Sequence, residues 1–172
     1  MSNIKKIYFD MNGVLADFNL GVKELASHEP IDQSVDDEEK TVALWNAVKK
    51  VDSFYYKLKP LNNMIEVFNK VRETYPGCVE ILSAIPKEKR GIVGAREDKI
   101  KWVKKYLGKD LKVNIGYKEE KKNFSLGREY VLIDDLDKNV NDWINSGGSG
   151  ILFNEKIDLL KELKQLDKKL NE

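Results

Sequence analysis

Residues 4–18 read IKKIYFDMNGVLADF, and the order of residue types in this stretch decides the fold. Ile4, Ile7, Tyr8 and Phe9 make an apolar run of strand length, about Lys5–Asp10, that stops abruptly at Asp10. Asn12 and Gly13 then mark a turn, and Val14, Leu15 and Ala16 resume the apolar character. A carboxylate at the carboxyl end of a buried strand, followed by a glycine-containing turn, stands where open α/β sheets carry their chemistry.

The pattern recurs downstream. Val79–Leu82 is a second apolar run, stopping at Ser83, and Tyr130–Ile133 is another, stopping at Asp134 and Asp135. Leu111–Tyr117 and Ile151–Phe153 supply two further strands. Apolar spacing predicts helices over 17–28, from a cap at Asp36 or Asp37 through Val48, over 61–75, and over Ala95–Leu107, Asn139–Asn145 and Glu155–Leu170. Lys118–Gly127 reads as a charged connection. Strands alternating with helices give an α/β fold, a parallel sheet with helices on both faces. Residues 17–75 are long for a single crossover and predict a small helical cap together with the crossover helix. The core is then 1–16 and 76–172.

The chain carries 30 basic and 29 acidic residues, so its net charge of +1 makes no case for nucleic acid or a membrane surface as main partner. Cys78 is the only cysteine, which excludes an intramolecular disulfide and fits a reducing compartment. No apolar run approaches the ~20 residues of a membrane span, and no signal-peptide pattern precedes the first strand. The expectation is a cytoplasmic protein, monomer or homodimer.

In a parallel sheet the strand ends at Asp10, Ser83 and Asp134-Asp135 lie on one edge, so residues far apart in sequence converge there. Gathered carboxylates repel one another. A divalent cation relieves that repulsion, and an all-oxygen donor set suits Mg²⁺. A carboxylate is also a nucleophile toward phosphorus, with a hydroxyl and lysine ammonium groups to hold the remaining phosphoryl oxygens.

FDMNGVLADF (9–18), ILSAIPK (81–87), a lysine and VLIDD (131–135), in that order, resemble the haloacid dehalogenase-like (HAD) superfamily of phosphatases. Within it, FDMNGVLADF, YYKLKP (55–60) and Lys99-Ile100-Lys101-Trp102-Val103 resemble the 5'(3')-deoxyribonucleotidases over about residues 4–143. The resemblance implies a HAD-like Rossmannoid sheet with its cap inserted after the first strand. It implies Mg²⁺-dependent hydrolysis of a nucleoside monophosphate through an aspartyl-phosphate. Asp10 would be nucleophile and metal ligand, and the backbone carbonyl of Asn12 and the carboxylate of Asp134 further ligands. Asp135 would stand close by, as a ligand through water or an orienting group. Ser83 and Ala84 would bind the phosphate with Lys99 and Lys122, Lys121 being the alternative to Lys122. Phe18, Trp45, Tyr55 and Tyr56 would form the base pocket, where stacking is worth ~1–3 kcal/mol per base.

Asn12 departs from the family pattern, in which an aspartate at this position protonates the leaving oxygen and later deprotonates water. Asparagine keeps the shape but exchanges no proton at neutral pH, and general acid–base help is worth roughly 10²–10⁴-fold. Either an aspartate was replaced in an active enzyme, the reading that an isosteric change in an intact motif favours, or a natural member has given up hydrolysis for nucleotide binding. A HAD phosphatase of another small phosphate ester is the remaining alternative. His28, the only histidine, reads as standing at a helix end, where the helix dipole is a sufficient explanation for it, and Cys78 lies beside a turn with no histidine partner in any recognisable motif; neither is assigned chemistry.

Overall fold

The computed structural model describes all 172 residues. Five strands, β1 (Lys6–Phe9), β2 (Val79–Ala84), β3 (Val113–Gly116), β4 (Tyr130–Asp134) and β5 (Ser149–Leu152), form one sheet in the order β3-β2-β1-β4-β5. Every neighbouring pair is parallel. β1 is the central strand, with Phe9 in register with Ile81 of β2 and with Ile133 of β4.

The helices are α1 (Phe18–Glu24), α2 (Glu38–Val48), α3 (Met64–Thr74), α4 (Ala95–Tyr106), α5 (Asp137–Asn145) and α6 (Leu159–Leu170). Side-chain alternation along the strands sends two sets of residues to opposite faces. Ile7, Phe9, Ile81, Val131 and Ile133 pack with Phe68 and Val71 of α3 and with Leu159 and Leu163 of α6 in the larger core. Tyr8, Leu82 and Leu132 meet Trp143 of α5 on the other face. That second face also buries Glu80, which takes Lys6 at 2.6 Å and the Asn114 amide at 3.0 Å. Strands covered on both faces explain why the sequence reads as short unbroken apolar runs.

Aspartates start three of the helices. Asp17, Asp37 and Asp158 each accept a hydrogen bond from a backbone N–H three residues on, at Leu20, Lys40 and Lys161. Asp158 starts α6 later than the expected Glu155. α1 ends at Glu24 rather than at 28, because Ser27 takes a left-handed φ of 51° and the His28 N–H turns back to the Val22 carbonyl. His28 is therefore not at a helix terminus. The connection over Lys118–Phe124 winds into a 3₁₀ turn, and β5 begins two residues early because Ser149 and Gly150 already pair with Val131 and Leu132. No helix is long and apolar enough to cross a membrane.

Candidate active site

The carboxyl ends of β1, β2 and β4 place Asp10, Ser83 and Asp134 side by side, as the parallel register requires. Asp10 and Asp134 are buried. Lys121, in the 3₁₀ turn after β3, donates to Asp10 at 2.9 Å and to Asp134 at 2.8 Å. Asp134 also accepts from the Leu136 N–H and from the Asn139 side-chain amide. One oxygen from each of Asp10, Asp134 and Asp135 lies within 4.8 Å of the others. Hard oxygen donors at this separation fit a small divalent cation such as Mg²⁺.

The loop after β1 is wound tightly, with the Leu15 and Ala16 N–H groups both returning to the Met11 carbonyl. Gly13 has φ of +81°, and a Cβ there would lie 2.0 Å from Asp135 Oδ2. No other residue allows the β1 and β4 loops to approach this closely. Asn12 lines the cavity beside Asp10, and its side-chain Oδ1 is buried without a hydrogen-bond partner.

On the β2 side, Lys99 of α4 is fully buried. Its ammonium donates to Ser83 Oγ at 2.8 Å and to the Ala84 carbonyl at 2.6 Å, and sits 4.5 Å from the centre of the Tyr55 ring.

The charges respond to this setting in different ways. Burial and the neighbouring Asp134 push the Asp10 carboxyl up, against the pull of Lys121. Burial, then Asp10 and Asp134, push Asp135 up to about 8. Burial brings Lys99 down to about 7, Asp10 opposing only in part. For Lys121 burial works downward too, but Asp10 and Asp134 outweigh it and hold the ammonium above the ordinary lysine range.

A cavity of about 680 Å³ opens over this edge. Asp10, Asn12, Ala84, Lys121 and Asp135 line its floor, and Phe18 of α1, Trp45 of α2 and Tyr55 line its wall. Phe18 packs edge-on against Phe54 and lies 6.0 Å from Trp45, between ring centres.

Two expected site residues stand elsewhere. Lys122 is exposed, because the 3₁₀ turn points its neighbour Lys121 inward and Lys122 outward. Tyr56 is outside the cavity, with its ring under Lys105, because the 54–56 turn sends Tyr55 in and Tyr56 out. Ser83 lies behind the floor, reaching the site through Lys99. Asn139, which the sequence reading passed over, holds Asp134; its sign was an amide in the first turn of the helix after VLIDD.

The sheet order and the placement of the helices make the fold HAD-like. The chain resembles a HAD family enzyme from Bacteroides thetaiotaomicron, solved as a magnesium complex, with 17% identity and TM-score 0.54 over 94% of this chain and 99% of that one. It also resembles a haloacid dehalogenase-like family protein from Streptococcus pneumoniae, with 17% identity and TM-score 0.57 over 94% and 91%. A HAD-superfamily hydrolase from Ehrlichia chaffeensis is similar at 16% identity and TM-score 0.52 over 96% and 98%. Comparison with curated proteins finds no match. The model of the family described as "5' nucleotidase, deoxy (Pyrimidine), cytosolic type C protein" matches residues 3–162, and the chain belongs to that family.

Proposed function

We propose that this protein is a phosphatase of nucleoside monophosphates, deoxyribonucleotides foremost, acting in the cytoplasm with Mg²⁺ and through an aspartyl-phosphate on Asp10. The observation that carries this reading is the placement of Asp10, beside Asp134, Asp135 and Lys121, on the floor of a cavity walled by Phe18, Trp45 and Tyr55. The family to which the chain belongs supports a nucleotide as substrate.

In this reading Asp10, Asp134, Asp135 and the main-chain carbonyl of Asn12 hold the cation. Bound there, the cation neutralises charge on the phosphoryl oxygens. Lys121 opposes the rise of the Asp10 carboxyl and holds it in place by a hydrogen bond. Lys99 lies behind the cavity floor with Ser83 and the Ala84 carbonyl, and its charge acts on the phosphate from there. Residues 17–75 serve as cap and crossover, and their aromatic side chains hold the nucleoside and exclude water. Asn12 shapes the loop and cannot carry a proton to the leaving oxygen, so hydrolysis of a monophosphate is slow.

The test is a panel of deoxy- and ribonucleoside monophosphates with Mg²⁺ or with EDTA, run on the native chain and on Asn12→Asp. The aspartate variant should gain about 10²–10⁴-fold in rate and lose that gain in EDTA. Restored activity on sugar phosphates alone would overturn the substrate. Asn12 also supports a second reading, a nucleotide-binding protein without turnover. Tight nucleotide binding by an Asn12→Asp protein that hydrolyses nothing would favour it.

A further inference from the structure

Asn12 is followed by Gly13, and no other asparagine of the chain precedes a glycine. The side-chain amide of an asparagine is open to attack by the main-chain nitrogen of the next residue, because the product is an unstrained five-membered ring. A side chain on that next residue screens its nitrogen, and glycine has none. Here the fold itself demands the glycine. Gly13 holds a φ of +81°, and a Cβ there would collide with the Asp135 carboxylate. The close approach of the β1 and β4 loops thus fixes the least screened neighbour beside Asn12.

Asn12 is half-buried and lines the cavity over the sheet edge. Its Oδ1 accepts no hydrogen bond, so no donor pins the carbonyl side of the amide. One restraint opposes reaction, the hydrogen bond that the Gly13 N–H donates to the Ala16 carbonyl at 2.9 Å. The nitrogen attacks only when this bond opens, so local opening of the turn sets the pace. The same turn selects the product. The Leu15 and Ala16 N–H groups return to the Met11 carbonyl, on the other side of residue 12 from Gly13. An extra main-chain atom within residue 12, as in isoaspartate, would push these two sets of bonds apart. An ordinary aspartate leaves both in place.

We propose that Asn12 is a modification site: its side chain deamidates to aspartate in the folded protein, and the conversion switches on the phosphatase. The switch rests on the reading above, in which position 12 lacks the proton-carrying group. The Gly13 nitrogen gives its proton to solvent and bonds to Asn12 Cγ, and the side-chain nitrogen leaves as ammonia with a proton from solvent. Residues 12 and 13 are then joined in a cyclic imide. Water adds to Cγ, the bond from Cγ to the Gly13 nitrogen breaks, and that nitrogen regains a proton. One water is consumed, one ammonia is released, and the main chain is as before. The new carboxyl exchanges protons where the amide did not. Converted molecules should hydrolyse a monophosphate about 10²–10⁴-fold faster than the rest, so a minor converted fraction governs the rate of a whole sample.

The experiment keeps the freshly made full chain with Mg²⁺ in heavy-oxygen water, at neutral and at alkaline pH. Samples drawn over time are assayed on a deoxyribonucleoside monophosphate. They are also peptide-mapped by mass spectrometry that separates aspartate from isoaspartate. Position 12 should convert faster than any other asparagine, faster still at alkaline pH, and take one heavy oxygen into its carboxyl. The rate should rise in proportion to the aspartate fraction, toward that of Asn12→Asp. Asn12→Gln, whose longer side chain closes the ring poorly, should show no rise. An Asn12 that persists in the folded chain while the urea-unfolded chain converts overturns the proposal. So does isoaspartate as the main product, or an equal rise in Asn12→Gln. Conversion without a rise in rate overturns the switch alone if Asn12→Asp is active, and the phosphatase reading with it if that variant is inactive.

Discussion

Two buried lysines flank the same sheet edge and live in opposite circumstances. Lys121 lies between Asp10 and Asp134 and is an internal counter-ion, completed by the fold itself. Lys99 has a hydroxyl, a carbonyl and an aromatic ring for company, but no carboxylate within bonding distance. Burial disfavours both ammonium groups. Only Lys121 recovers that cost within the protein, which is why Lys99 alone drops to about 7. The β1–β4 half of the edge is neutralised in advance, and the β2 half awaits an anion.

Removing one lysine at a time strains this contrast most. Lys121→Met leaves buried carboxylates uncompensated and should cost about 3–5 kcal/mol in urea denaturation. Lys99→Met removes a charge that nothing in the fold neutralises, so its cost should be less than half as large. Equal costs would break the comparison.

Ligand affinity comes next. A phosphate dianion completes Lys99, so Lys99→Met should weaken inorganic phosphate binding by about 1.5–3 kcal/mol, read by calorimetry. Unchanged affinity would place the anion site elsewhere.

Acidity then separates the halves by sign. The carboxyl of Asp135, raised to about 8, keeps a proton in the folded state that the unfolded chain has lost. Stability in EDTA should therefore fall as pH rises from about 4 to 8. Lys99, lowered to about 7, loses its proton in the folded state first. That contribution makes stability rise between about pH 7 and 10, at no more than about 1.4 kcal/mol per unit. Mg²⁺ should remove the fall, and Lys99→Met should remove the rise. Both are read from thermal denaturation across pH. The smallest effect belongs to Lys122→Ala, an exposed change that should stay within about 0.5 kcal/mol and leave activity untouched.

How much of this was legible in sequence depended on the length of the local pattern. Asp10, Ser83 and Asp134 were visible as strand ends, because an apolar run that stops at a polar residue announces its edge. Lys121 and Lys122 could not be told apart, since a short 3₁₀ turn between two strands shows no apolar phase to say which neighbour points inward. Tyr55 and Tyr56 were ambiguous for the same reason. The Gly13–Asp135 contact and the Tyr55 ring over Lys99 join segments distant in the chain, which no local pattern reports. The stop of α1 depends on one left-handed serine, which side-chain type does not foretell.

The topology also has a consequence for the order in which the molecule is made. β1 lies at the centre of the sheet, yet Asp10 is 111 residues from the lysine that neutralises it. As the chain is synthesised, the middle strand exists long before the strand that closes its open side. Its buried aspartate must wait, charged and solvated, until the 3₁₀ turn and β4 arrive. Assembly is thus governed by late, long-range closure, the slow kind. A chain interrupted before residue 121 has the motif with which the sequence first declares itself and the aromatic wall of the cavity, but neither the lysine nor the β4 carboxylates that complete its floor.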